Sequence, residues 1–105
     1  MKTSDSMKKV LVVDDEINLR HMLQVVLRKQ DYIVAEAPDG EKALAMSMET
    51  PYDFILCDVR MPVLDGPGFL RRAQEAGIQG TIIMMSAYGT VDTAVECMKM
   101  GAYDY

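Results

Sequence analysis

Short apolar runs alternate along this chain with stretches whose apolar residues recur every three or four positions. Lys9 to Val13, KVLVV, predicts a buried strand. Leu19, Met22, Leu23, Val26 and Leu27 then share one face of a helix, with Arg20, Gln24 and Arg28 opposite. Tyr32 to Ala37 predicts a second strand. Asp39 follows, placed to cap a helix whose apolar side is Ala43, Leu44 and Met48. Asp53 to Cys57 predicts a third strand, apolar on both faces, as in a parallel sheet covered by helices. Phe69, Leu70 and Ala73 face inward from a third helix that Gly77 ends, and Thr81 to Met85 is a fourth strand. Thr90 caps a fourth helix with Val91, Ala94, Val95 and Met98 inward, and Gly101 stops it. A fifth strand starts near Tyr103, and Tyr105 is the last residue. Four strand–helix units and a started fifth strand imply an α/β fold, a doubly wound parallel sheet.

Composition narrows the function classes. The 105 residues suffice for one domain, half of them are hydrophobic and the net charge is -5. That charge disfavours non-specific binding to nucleic acid or an anionic membrane and suits a protein that handles a cation. No apolar run reaches the about 20 residues needed to cross a bilayer. MKTSDS lacks the apolar core of a secretory signal, so residues 1–7 read as a disordered polar tail and 8–105 as the domain. Cys57 and Cys97 lie far apart with no paired histidines, which favours reduced thiols over a disulfide or zinc site. A cytoplasmic location follows from these readings.

The candidate chemistry sits where apolar runs end. Ligands of open parallel sheets bind at the carboxyl ends of the strands, near the point where strand order reverses. Asp14, Asp15 and Glu16 follow the first strand, Asp58 follows the third, and Ser86 and Ala87 follow the fourth. If the first and third strands are neighbours, three aspartates meet. Two carboxylates about 4 Å apart repel by roughly 4 kcal/mol at an effective dielectric near 20. A fold keeps such a cost where something offsets it, and a divalent cation does. Oxygen ligands with open positions suit Mg²⁺, which shares itself between protein and phosphate oxygens. Capping of the first helix would explain one acid, but not a pair plus Asp58.

The acidic pair Asp14-Asp15, Asp58, the run DVRMPVLDG from Asp58 to Gly66, Ser86 and the terminal GAYDY together resemble the receiver domain of two-component response regulators. The resemblance covers nearly the whole chain. SAYGTVDTAVECMKMGAYDY is similar in particular to receivers of the nitrogen-regulation type, which precede an ATPase and a DNA-binding domain. It implies a flavodoxin-like strand order 2-1-3-4-5, with the fifth strand and last helix incomplete here. It implies Asp58 as phosphoacceptor, with a sensor histidine kinase as donor. Asp15, Asp58 and the backbone carbonyl of Arg60 would bind Mg²⁺, and Asp14 would act mostly through a water. Ser86 would hydrogen-bond the phosphoryl group, and Tyr105 matches the aromatic switch position. The family pattern continues past GAYDY to a Lys-Pro and a final helix. Without that lysine the chain is expected to bind metal but to phosphorylate poorly, and to expose apolar surface of the first helix that favours self-association.

Two other readings compete. An Mg²⁺-dependent phosphohydrolase would use Asp58 with an acid two residues later, but position 60 is Arg. The intact acids argue against a receiver-like interaction module not regulated by phosphate, while the missing lysine leaves that reading open. His21 reads as a solvated helix residue, Cys57 as core, Arg71-Arg72 as a solvated pair, and Asp65-Gly66 as the start of the third helix.

Overall fold

The structure, a computed structural model, describes residues 7–58 and 63–85. Within them the chain runs β1 (Lys9–Val13), α1 (Ile17–Lys29), β2 (Ile33–Ala37), α2 (Gly40–Glu49), β3 (Phe54–Asp58), α3 (Gly66–Glu75) and β4 (Thr81–Met85). The first and fourth strands match the predicted bounds, and the second and third differ by one residue at their ends. The fourth helix capped by Thr90 and the fifth strand near Tyr103 lie outside the described residues.

The four strands form one parallel sheet in the order β2-β1-β3-β4. Each side of β1 is paired along its length: Lys9–Val13 against Ile33–Ala37, and Val10–Val13 against Phe54–Cys57. Strand order reverses between β1 and β3, so the crevice of a doubly wound sheet opens at their carboxyl ends.

Alternation along each strand sends side chains to two layers. Leu11, Val13, Ile55, Cys57, Ile82 and Met84 join Ala43 of α2 and Phe69, Leu70 and Ala73 of α3 in the larger core. Val10, Val12 and Val34 form a thinner one, closed by Leu23 and Leu27 of α1, Phe54 and Leu56. Tyr32 meets Phe54 edge-on there, with ring centroids 6.3 Å apart. Full burial of one such aliphatic or aromatic side chain contributes about 1.5–3 kcal/mol. Cys57 is buried, as expected of a core thiol.

Local signals set the helix ends. Glu16 caps α1, its carboxylate accepting from the N–H groups of Asn18 (3.1 Å) and Leu19 (2.9 Å), and Arg28 and Lys29 complement the dipole in the last turn. Asp39 caps α2 through Lys42 N–H at 2.8 Å. Asp65 caps α3 through Gly68 N–H at 2.8 Å, with Pro67 in the first turn. Gly77, at φ +71°, leaves that helix in the left-handed region.

Two helix faces differ from the pattern. On α1, Leu19, Met22 and Val26 are exposed, whereas Arg20 and Gln24 are half-buried beside Leu23 and Leu27. The helix meets the sheet along the narrow stripe 20, 23, 24, 27, because Arg20 turns inward to polar partners described below. On α2, Met48 is 68% exposed and the inward stripe is Gly40, Ala43 and Ser47. These small residues bring the helix close. The N–H of Gly40 donates to the carbonyl of Leu64 at 3.2 Å, and a Cβ at position 40 would lie 2.4 Å from that same oxygen.

Candidate functional site

Register places the acids. Val13 pairs with Cys57 in the parallel ladder, so the next residues, Asp14 and Asp58, leave the sheet at the same level. Asp58 is the last residue of β3 and still pairs with Met85 of β4. Asp15 stands one residue beyond Asp14 in the loop that leads into α1. The structure brings the three together: one carboxylate oxygen from each of Asp14, Asp15 and Asp58 lies within 4.8 Å of the others. Asp14 is buried, Asp58 half-buried and Asp15 exposed.

The loop is tightly held. The N–H of Asp14 donates to the carbonyl of Ala37 on β2 at 3.1 Å. Its carboxylate accepts from Glu16 N–H at 2.9 Å, and its carbonyl accepts from Arg20 Nη1 at 2.7 Å. Helix capping falls to Glu16, so the pair Asp14-Asp15 is not used up as a cap. Asp14 is 1% exposed, and burial raises its carboxyl above the ordinary value. The Glu16 N–H opposes that, and the charges of Asp58, Asp15 and Glu16 add to it. A cluster of oxygen donors that repel one another is the donor chemistry a hard divalent cation requires.

Arg60, Ser86 and Tyr105 lie outside the described residues. In the loop leading to α3, Val63 holds a φ of +69° and is exposed. A β-branched residue rarely enters that region, and holding it there costs on the order of 1–3 kcal/mol. His21 and the pair Arg71-Arg72 are exposed, as their reading as solvated residues requires. Three participants were not assigned a site role by the hydrophobic pattern: Glu16, Arg20 and Glu36. An acid immediately ahead of the first helical residue, the apolar Ile17, is the signal that could have found Glu16. Nothing local marks Arg20 and Glu36, 16 residues apart and joined only by folding.

An acidic cluster at the carboxyl edge of a parallel sheet, on strands either side of the order reversal, stands where ligands of doubly wound α/β domains bind. Residues 10–105 match the family model described as the response regulator receiver domain, and the chain belongs to that family. Receiver domains are signalling domains that interact with histidine kinases and bind Mg²⁺ at an acidic pocket. The chain is 43% identical over 96 residues to the transcriptional regulatory protein ZraR of Escherichia coli K12, covering 91% of this chain and 22% of that one. It is 36% identical over 100 residues to the regulatory protein AtoC of the same organism, covering 95% and 22%. Both relatives are of the nitrogen-regulation type. Among solved structures, the chemotaxis protein CheY4 of Vibrio cholerae superposes with a TM-score of 0.88 at 33% identity, over 94% of this chain and 84% of that one. The chain thus spans about a fifth of the length of the curated relatives it matches. No helix among the described residues is long and apolar enough to cross a membrane.

Proposed function

We propose that this chain is the phosphoacceptor module of a two-component regulator, with Asp58 receiving the phosphoryl group and Asp14, Asp15 and Asp58 holding Mg²⁺. The observation that carries this is the convergence of three carboxylate oxygens within 4.8 Å. Bound Mg²⁺ would neutralise charge on the phosphoryl oxygens. A carboxylate oxygen of Asp58 attacks the phosphorus of a phosphohistidine. The N–P bond breaks, an acyl phosphate forms on Asp58, and the imidazole nitrogen leaves with the bonding pair. Such transfer needs in-line positioning more than covalent help, and Asp58 is positioned by the β3–β4 pairing behind it.

Arg60, through its carbonyl, would complete the metal ligands. Ser86 would donate a hydrogen bond to the phosphoryl group and Tyr105 would move with it. The output in the whole protein is transcriptional, in keeping with the transcriptional regulatory protein ZraR to which the chain is similar, and the location is cytoplasmic. The phosphohydrolase reading has less support, since position 60 carries no acid.

The test is phosphoryl uptake from a small phosphodonor followed by intact mass, in this chain and in one extended through the family's Lys-Pro. Uptake is expected only with Mg²⁺, faster in the extended chain, and none in Asp58→Asn. Equal uptake by Asp58→Asn would refute the assignment.

A further inference from the structure

We propose that Arg20 is a positioning residue for this site: gripped by Glu36, its guanidinium holds the Asp14–Asp15 peptide and thereby sets the affinity for Mg²⁺. This rests on the reading of Asp14, Asp15 and Asp58 as the Mg²⁺ ligands.

Three elements meet at this one side chain. Arg20 projects from α1. Its Nη1 donates to the carbonyl of Asp14 at 2.7 Å, and its Nε donates to Glu36 Oε1 at 3.1 Å. Glu36 lies on β2, where it pairs with Val12 of β1, so it is anchored independently of the loop. The Arg20 side chain is only 14% exposed, although its position on the helix suggested a solvated residue. An open depression of about 420 Å³ runs beside the pair, lined by Ile17, Asn18, His21 and Pro38 as well. Water reaches Glu36, which is 34% exposed, more readily than it reaches the guanidinium.

The carbonyl of Asp14 belongs to the peptide unit that carries the N–H of Asp15. Holding its oxygen from one side, while Ala37 holds the N–H of Asp14 from the other, restricts the backbone torsions between the two acids. Those torsions aim the Asp15 carboxylate, which is exposed and would otherwise sample many directions. A guanidinium suits the task because its planar fork serves two acceptors at fixed angles, whereas an ammonium is a single point donor. Groups behind a metal's direct ligands act in this way, and their loss weakens metal binding.

Charge and position predict opposite signs here. Arg20 is a cation close to an acidic cluster, so on charge alone its removal favours a divalent ion. As a positioning group, its removal disfavours the ion. A partly exposed ion pair with no further role would leave metal affinity alone.

The experiment is Mg²⁺ titration of the full chain by calorimetry and by amide shifts of Asp14 to Glu16, for wild type, Arg20→Lys and the charge-neutral pair Arg20→Met with Glu36→Gln. Arg20→Lys keeps the charge and loses the fork, so it carries the test if the double variant fails to fold. Expected is an about tenfold weaker affinity in both variants, the low end for loss of a group behind a metal ligand, with metal-free amide shifts displaced at Asp15 and Glu16. Unchanged or tighter binding in Arg20→Lys, with wild type binding normally, overturns the role of Arg20 alone. No Mg²⁺ binding by wild type overturns it together with the metal-site assignment.

Discussion

Asp14 is a buried acid whose N–H, carbonyl and carboxylate are each engaged, by Ala37, Arg20 and Glu16. Burial, with the charges of Asp58, Asp15 and Glu16, holds its carboxyl above the ordinary 3.8 despite the Glu16 N–H. The native fold therefore binds that proton more tightly than the unfolded chain does. Its contribution to stability is complete below about 3.8 and is lost as pH rises through the raised native value. Above that raised value the metal-free fold carries an ionised Asp14 at a cost. Asp14→Asn keeps an oxygen for the Glu16 N–H and removes the charge. It is expected to raise the urea midpoint of the metal-free chain at neutral pH and to lose that advantage toward about pH 3, while weakening Mg²⁺ binding. Paired urea titrations of both chains in chelator across that range check it. A constant difference at all pH values would assign the effect to packing instead.

Among the elements, α1 depends on its first turn. None of its residues is buried, so packing on the thin core contributes less to it than the larger core contributes to α3. Glu16 satisfies two of its otherwise unpaired N–H groups. Glu16→Ala is expected to cost about 1 kcal/mol, the usual value for a lost cap, read as a lower denaturant midpoint with unchanged slope. The strands and the caps of α2 and α3 could be read from the sequence because each depends on neighbours a few residues away. KVLVV, TIIMM, Asp39 and Asp65 are of that kind. The convergence of Asp14, Asp15 and Asp58 was also readable, because strand ends in a parallel sheet share an edge. The orientation of α1 was not. Its apolar residues outnumber those the sheet can cover, and the tether from Arg20 to Glu36 and Asp14 that selects the face exists only after β1 and β2 are paired.

At the scale of the molecule, a ligand that binds the folded chain alone stabilises it by mass action. Mg²⁺ at about 100 times its dissociation constant is expected to add about 2.7 kcal/mol, a rise of about 10–20 °C in Tm for a domain of this size, and chelator should reverse it. Differential scanning calorimetry with and without the ion checks this. A Tm indifferent to Mg²⁺ would leave the acidic cluster without its compensating cation. The exposed apolar residues Ile17, Met22 and Val26 of α1 and Ile33 of β2 are the other feature at this scale. The central strand has a different consequence. Because β1 is bonded along both sides, and Lys8 and Asp14 extend those bonds to β2 past its two ends, it cannot slide, tilt or peel without breaking a ladder. It serves the site as a stator serves a motor. A group arriving at Asp58 meets a foundation that does not yield, so any motion it provokes must be taken up by parts bolted down less firmly than this strand.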